Sequence, residues 1–230
     1  MAYIEFKNVN KIYDKNTNFK VLKKITFKIE KSEFITITGA KASGKTTLLN
    51  LLNKTLNVTS GSILVDNYDI TNFNNKQATK YRKEVVSSCL KGFSLISNLT
   101  VKENIELLEK ENDKKNINII IKKLGLTKVE NKFPSELSSS YAKFADIARS
   151  LAKKPSIILF DELDLHDKKD LKNVFTLLFN MIKKDNLTVI MITENPDIIS
   201  LSNKVITLKN GAIDNIKINK KPKLVGDLNW

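Results

Sequence analysis

The stretch Gly39-Ala-Lys-Ala-Ser-Gly-Lys-Thr-Thr47 decides the fold class of this 230-residue chain. It matches the pattern G-x-x-x-x-G-K-S/T, in which glycines let successive backbone N–H groups curl inward around a phosphate chain. Lys45 is expected to supply positive charge to the β- and γ-phosphates, and the Thr46 hydroxyl is expected to be a ligand for Mg²⁺. The ATP-binding candidates are therefore all residues of this segment: Gly39, Ala40, Lys41, Ala42, Ser43, Gly44, Lys45, Thr46 and Thr47.

The segments on either side of this loop have the periodicity that the motif requires. Phe34 to Thr38 form a compact β-rich run, and Leu48, Leu49, Leu52 and Leu56 follow at helical spacing. A strand, a glycine loop and a helix are thus predicted. The positive N-terminal end of that helix favours a bound phosphate, which argues against an accidental glycine loop.

A pair of acids, Asp161 and Glu162, follows another strand-like run at residues 157–160. In a phosphate site of this kind, a carboxylate at the end of a neighbouring strand supports the Mg²⁺ shell, and we assign this metal role to Asp161. Glu162 is the catalytic candidate, placed to face the γ-phosphate and to orient or deprotonate the attacking water. The alternative is that both acids face solvent at a strand end.

The N-terminal half of the chain predicts antiparallel β structure followed by a phosphate-binding core. Alternating apolar residues at 4–6 and 25–29 have the period of half-buried strands. A short strand is predicted around residues 62–65, and the polar, asparagine-rich stretch 66–80 predicts a loop. Residues of about 90–153 are mostly helical in pattern, with Gly125 as a helix cap.

The C-terminal half alternates strands and helices in the βαβ order that is typical of a parallel sheet. Asn210-Gly211 between apolar alternations then predicts a tight hairpin. The whole chain, 1–230, is expected to form one domain, with residues 219–230 as a loose tail.

Composition restricts the function classes. The net charge is +14, but of 39 basic residues only Arg82 and Arg149 are arginine. Such an excess of lysine, together with frequent asparagine, is typical of AT-rich coding, so we expect no specific nucleic-acid partner. Cys89 stands alone and is expected to be a small buried residue. No apolar run approaches the roughly 20 residues of a membrane-spanning helix, and no secretory signal is visible, so a cytoplasmic location is expected.

With both phosphate-site motifs in place, the chain resembles the ATP-binding subunits of ABC transporters over about residues 2–215. One segment resembles the family's signature helix: Leu137-Ser-Ser-Ser-Tyr141, which is followed by Ala145-Asp-Ile-Ala-Arg149. Residues 93–105 resemble the region that faces the transmembrane partner. The stretch between Tyr13 and Val21 is similar to the macrolide-efflux and lipoprotein-release branch, of MacB and LolD type, as is Ser60-Gly-Ser-Ile-Leu-Val-Asp.

The resemblance implies an α/β fold with a P-loop NTPase core and a mostly parallel sheet, an N-terminal antiparallel β subdomain and an inserted α-helical subdomain. It implies ATP and Mg²⁺ as ligands, and a homodimer or a heterodimer with a second ATP-binding subunit. It also implies a separately encoded transmembrane permease, with this chain bound peripherally on the cytoplasmic face of the membrane. It also implies that Tyr13 stacks on adenine, a strand-end surface aromatic being the alternative. Ser138, Ser139 and Ser140 are expected to contact the nucleotide held by the partner subunit.

Several positions depart from the family's pattern. The signature loop is normally Leu-Ser-Gly-Gly-Gln, and a backbone that requires positive φ would cost Ser139 and Ser140 about 1–2 kcal/mol each. The loop glutamine corresponds to Lys91 and the switch histidine to Glu194. An ionised Glu194 is expected to repel the γ-phosphate by about 4 kcal/mol for unit charges near 4 Å at an effective dielectric of 20. His166 is expected to be an ordinary loop residue.

These departures leave two functions open. The leading hypothesis is an ATPase subunit with slow or impaired hydrolysis, because Glu162 is retained. The alternative is a non-hydrolysing regulatory or scaffold subunit of a membrane complex. Lys91 and Glu194 either pair and neutralise each other or have drifted independently.

Overall fold

The computed structural model describes residues 2–13, 19–90, 95–108, 114–163, 165 and 167–229. Its strands are β1 Ile4–Ile12, β2 Lys20–Ile29, β3 Phe34–Thr38, β4 Ser60–Val65, β5 Tyr68–Asp69, β6 Val86–Cys89, β7 Ile157–Asp161, β8 Thr188–Ile192, β9 Lys204–Lys209 and β10 Ala212–Ile218. Its α-helices are α1 Lys45–Leu52, α2 Asn75–Glu84, α3 Val101–Glu106, α4 Lys114–Lys123, α5 Ser139–Ala152, α6 Lys168–Asp185 and α7 Pro196–Leu201. Single 3₁₀ turns span Leu126–Lys128, Pro134–Glu136 and Val225–Asp227.

A six-stranded sheet in the order β10-β9-β3-β8-β7-β6 forms the centre of the molecule. All its described pairings are parallel except that of β10 with β9. Every residue of β7 and β8 is buried, which is the pattern of a parallel sheet covered on both faces. Asn210 and Gly211 both adopt positive φ, at 50° and 79°, and so form the hairpin that the sequence predicts.

An antiparallel sheet in the order β2-β1-β4-β5 covers one side of this core, as predicted. Ile4 pairs with Ile29, and the rings of Phe6 and Phe27 stack on one face with centroids 4.5 Å apart. The inward residues of β1 and β2 join the apolar cluster that also contains Leu48 and Leu52 of α1. The first helix after the glycine loop is thereby held between the two sheets.

The helices α3, α4 and α5 form the predicted helical region. Ile105, Ile120 and Leu124 are buried against α5 in a second apolar cluster. Gly125 follows α4 in the left-handed conformation, with φ 68°, which confirms its predicted role as a helix cap. Among the described residues, no helix combines the length and apolarity needed to cross a membrane.

Residues 66–80 were expected to be a loop, and that prediction is wrong. They contain β5 and the start of α2. The Asn74 side chain accepts a hydrogen bond from the Gln77 N–H, and the Gln77 side chain accepts one from the Asn74 N–H, both at 2.9 Å. This capping box starts the helix, while Ala78 and Tyr81 bury its inner face. The polar residues that suggested a loop are helix-start signals.

Residues 219–229 do not form the loose tail that we expected. Leu228 is only 7% exposed and belongs to the core cluster that includes α6. The Lys168 ammonium donates a hydrogen bond to the Asn229 carbonyl at 3.1 Å. Leu228 and the partly buried Val225 pack against the domain and, with this hydrogen bond, hold the segment in place.

Cys89 lies at the end of β6 and is buried, as predicted. Its thiol contacts the Ser150 hydroxyl at 3.2 Å. Burial raises the pKa of Cys89 well above its ordinary value, so the group stays a thiol and is chemically inert in the folded chain.

Candidate nucleotide-binding site

The glycine loop connects β3 to α1, and its backbone depends on two glycines. Gly39 and Gly44 have φ values of 136° and 101°, which L side chains rarely adopt. A Cβ on Gly39 would overlap the Leu208 carbonyl oxygen, and one on Gly44 would lie 2.6 Å from a Leu22 methyl carbon. The motif glycines are therefore required by space as well as by conformation.

Lys45 lies at the start of α1 and folds back over the loop. Its side chain is only 9% exposed, and its ammonium donates hydrogen bonds to the Gly39 carbonyl and, at 2.9 Å, to the Ala40 carbonyl. The Oε1 atom of Glu194 lies 3.9 Å from the same Nζ. The positive charge is thus held over the loop by oxygen acceptors.

Thr46 and Asp161 come together although they are far apart in sequence. The Thr46 Oγ1 donates a hydrogen bond of 2.9 Å to Asp161 Oδ2. Asp161 is buried at the carboxyl end of β7, next to the start of α1. A hydroxyl and a carboxylate in contact form an oxygen ligand set of the kind that Mg²⁺ prefers, so these residues fit the metal that the motif implies.

A cavity of about 580 Å³ opens over this loop. It is lined by residues 41–47, by Glu162 and Glu194, and by Phe19 and Val21 from the start of β2. Phe19 was not selected from the sequence. The sequence signal for it is an aromatic residue that lies close to Tyr13 in an otherwise polar stretch.

Tyr13 follows β1 and lies against the loop. Its hydroxyl is 3.2 Å from the Thr47 Oγ1, and the Lys11 Nζ lies 5.3 Å from the centroid of its ring. The ring itself is exposed. An exposed aromatic surface next to a phosphate loop is suited to stacking on a planar base.

Glu162 lines the cavity directly after Asp161. Its φ is 61°, a conformation that costs a non-glycine residue about 1–2 kcal/mol. Strain of this kind is concentrated at functional sites. The carboxylates of Glu162 and Glu194 line the same cavity as the cationic side chains of Lys41 and Lys45.

The signature serines lie elsewhere, at the exposed start of α5. Ser138 caps this helix by accepting a hydrogen bond from the Tyr141 N–H at 3.4 Å, and Ser139 and Ser140 form its first turn. Neither serine has a positive φ, so the backbone strain predicted for them is wrong. None of the three lines the cavity, and their contact with a partner's nucleotide stays a prediction.

Lys91 and His166 lie outside the described residues, and so does the predicted pairing of Lys91 with Glu194. Within the described residues, the cation near Glu194 is Lys45. The sequence carries no local signal for this neighbour, because Lys45 and Glu194 are far apart along the chain.

Comparisons with known proteins agree on one family. The family model described as ABC transporter matches residues 22–164. The chain is 33% identical to the bacitracin export ATP-binding protein BceA of Halalkalibacterium halodurans, over 93% of this chain and 87% of that protein. It is also 33% identical to the lipoprotein-releasing system ATP-binding protein LolD of Buchnera aphidicola, over 89% of this chain and 93% of that protein. The LolD match is consistent with the expected branch.

Two further relatives, ABC transporter ATP-binding proteins of Mycoplasma pneumoniae and Mycoplasma genitalium, are 35% identical, and the chain spans 50% of their length. Among solved structures, the dimeric ATP-binding cassette MJ0796 in a post-hydrolysis state with ADP and Pi has a TM-score of 0.86 and 28% identity, over 94% of this chain and 98% of that one. This likeness confirms the predicted fold, with its parallel core, antiparallel N-terminal sheet and helical subdomain.

Proposed function

Because this chain belongs to the ABC transporter family of ATP-binding proteins, we propose that it couples ATP binding and slow hydrolysis to a separately encoded membrane permease. The observation that carries the proposal is the 2.9 Å contact between Thr46 and Asp161 beside the buried Lys45. These three residues bring ligands for Mg²⁺ and a cation for phosphate together at one end of the parallel sheet.

Each residue at this site has a distinct task. Lys45 and the N–H groups of the loop bind the phosphates, and Thr46 and Asp161 hold Mg²⁺, which when bound neutralises phosphate charge. Glu162 accepts a proton from the attacking water or orients it. Tyr13 and Phe19 offer aromatic surface on the adenine side of the loop.

The position of Glu194 supports the slow hydrolysis that we propose, because a carboxylate cannot donate the hydrogen bond that the family's switch histidine gives to the γ-phosphate. Its carboxylate lies 3.9 Å from the lysine that must bind phosphate, and it lines the same cavity as Glu162. Phosphate must take the place of a carboxylate beside Lys45, against like-charge repulsion. Glu194 is 71% exposed, so solvent screens this effect and ATP binding is weakened rather than prevented.

The assembly around this site belongs to the same proposal. Residues 1–230 act as one nucleotide-binding domain, whose helical subdomain of about 90–153 meets the permease on the cytoplasmic face of the membrane. The exposed start of α5 brings Ser138, Ser139 and Ser140 to the nucleotide of a second ATP-binding subunit, either another copy or a different chain. Specific nucleic-acid binding is not part of the function.

The contact of Glu194 with Lys45 also favours a second candidate, a non-hydrolysing regulatory or scaffold subunit. Phosphate release from Mg-ATP distinguishes the two when nucleotide binding is followed in parallel. Turnover that Glu162→Gln abolishes, while ATP binding persists, supports the ATPase. Binding without turnover, also in the presence of the permease, supports the regulatory subunit. If the unmodified chain binds ATP no better than the Lys45→Ala variant does, both candidate functions are contradicted.

A further inference from the structure

Lys11 lies over the ring of Tyr13, the aromatic residue beside the phosphate loop. Its ammonium nitrogen is 5.3 Å from the ring centroid, which is within the range of a cation–π contact. The two residues lie two positions apart where β1 ends, which is the spacing at which strand side chains share a face. One face of the ring is thus covered by a cation.

The Lys11 ammonium is itself held in place. It donates a hydrogen bond of 2.8 Å to the carbonyl of Asn57, which lies in the segment that follows α1. The Asn57 side chain in turn accepts a hydrogen bond of 2.7 Å from the ammonium of Lys54, a buried residue. The cation over the ring is therefore fixed by residues just beyond the C-terminal end of α1.

A second contact holds the edge of the same ring. The Tyr13 hydroxyl lies 3.2 Å from Thr47 Oγ1, a hydrogen bond in which either group can be the donor. Thr47 is buried in the first turn of α1 and lines the cavity over the phosphate loop. The position of the ring is thereby tied to the loop that is suited to phosphate.

The other face of the ring is open. Tyr13 is 56% exposed, although its hydroxyl and one ring face both contact other residues. An exposed aromatic side chain ordinarily samples several rotamers, and ordering it costs free energy when a ligand binds. A ring that is already held by Thr47 and Lys11 has lost much of this freedom, so a base that stacks on its open face does not have to order it.

We propose that Lys11 and Thr47 are positioning residues for nucleotide binding, which hold the Tyr13 ring so that its open face receives the adenine base. The inference rests on the proposed function, since it concerns the same nucleotide site. It adds that ATP affinity depends on Lys11, which is not among the described residues that line the nucleotide cavity.

The test compares ATP with inorganic triphosphate, which has three linked phosphates but no base, by calorimetric titration of the full chain in the presence of Mg²⁺. Lys11→Met keeps the aliphatic stem and removes the charge. Loss of an exposed cation–π contact lowers the fraction of rings in the binding position, so ATP affinity is expected to fall about 2- to 5-fold. Triphosphate affinity is expected to stay unchanged. Lys11→Arg keeps a cation that can stack on the ring and is expected to retain the ATP affinity of the unmodified chain.

Tyr13→Phe tests the second contact, because it keeps the ring and removes the link to Thr47. It is expected to weaken ATP binding by a similar factor and to leave triphosphate binding unchanged. In a chain that already carries Thr47→Val, Tyr13→Phe is expected to have no further effect on ATP affinity, since the contact is already lost. A full additional loss would show that the hydroxyl acts through another group and would overturn the role of Thr47.

Lys7→Met is the control for charge, because Lys7 is exposed on the same strand. Equal losses of ATP affinity in Lys7→Met and Lys11→Met, or an equal loss of triphosphate affinity in Lys11→Met, would show a general effect of charge and overturn the proposal. Unchanged ATP affinity in Lys11→Met would also overturn it. An unmodified chain that binds neither ATP nor triphosphate would contradict the proposed function itself, and this inference with it.

Discussion

Lys45 Nζ lies 3.9 Å from Glu194 Oε1, so the lysine of the phosphate loop has a carboxylate neighbour. The two side chains differ in exposure, 9% for Lys45 and 71% for Glu194. The lysine is held in place by the carbonyls of Gly39 and Ala40, whereas the glutamate is free to move into solvent. Ion pairs with an exposed partner are worth about 0–1 kcal/mol, so Glu194 modulates phosphate binding rather than blocking it.

Replacement of Glu194 by Gln is therefore expected to increase ATP affinity about 3- to 10-fold, since a charge repulsion of about 1 kcal/mol is removed. ADP affinity should change less, because ADP lacks the γ-phosphate that we propose lies nearest this carboxylate. Calorimetric titration measures both affinities. Asp214→Asn removes an equal charge from an exposed position on β10 and serves as the control. Equal gains in the two variants would show a general charge effect.

Thr46→Val is expected to abolish the Mg²⁺ enhancement of ATP binding while leaving Mg²⁺-independent binding largely unchanged. The variant keeps the shape of the side chain and removes the oxygen that contacts Asp161 at 2.9 Å. It also leaves the buried carboxylate without this donor, at a cost of about 1–3 kcal/mol in the free energy of unfolding. Titration with and without Mg²⁺ and urea denaturation measure the two effects. An unchanged Mg²⁺ response would contradict the assignment of Thr46.

Glu162→Gly is expected to be more stable than Glu162→Ala by about 1 kcal/mol, because only glycine adopts a φ of 61° without strain. Both variants lose the carboxylate and its contacts, so the difference between their free energies of unfolding reflects the backbone conformation alone. Both are also expected to lose hydrolysis. Urea denaturation gives the difference, and equal stability would mean that Glu162 carries no stored strain.

Ser139→Gly and Ser140→Gly, which restore the family's glycines, are expected to lower the free energy of unfolding by up to about 1 kcal/mol each. Both serines lie in the first turn of α5, where glycine has more conformational freedom to lose. Thermal or urea unfolding measures the change. Stabilisation by either glycine would show that the loop has a left-handed backbone in solution.

The nucleotide site could be predicted from the sequence to the extent that its chemistry lies in contiguous motifs. Residues Gly39 to Thr47 predict a strand, a loop and a helix in that order. Asp161 follows a short, wholly apolar run, which predicts a buried strand. The 2.9 Å contact of Thr46 with Asp161 then arises because β3 and β7 are parallel strands of one sheet, so their carboxyl ends meet at the same edge.

Other features depend on interactions that no local pattern encodes. Asn74 and Gln77 have the composition of a loop, and only their reciprocal hydrogen bonds reveal a helix start. Leu228 is one apolar residue in a lysine-rich segment, and its burial depends on the surface of α6. The proximity of Glu194 to Lys45 arises where β3 and β8 lie side by side, so it requires the sheet order.

The most direct test of slow hydrolysis controlled by this cavity is the steady-state rate of phosphate release from Mg-ATP by the chain, by Glu162→Gln and by Glu194→His. Histidine donates a hydrogen bond to phosphate where glutamate repels it. We expect a slow but measurable rate for the unmodified chain, no rate above background for Glu162→Gln, and an increased rate for Glu194→His. Turnover that persists in Glu162→Gln, or ATP binding without turnover in both the unmodified chain and Glu194→His, would contradict it.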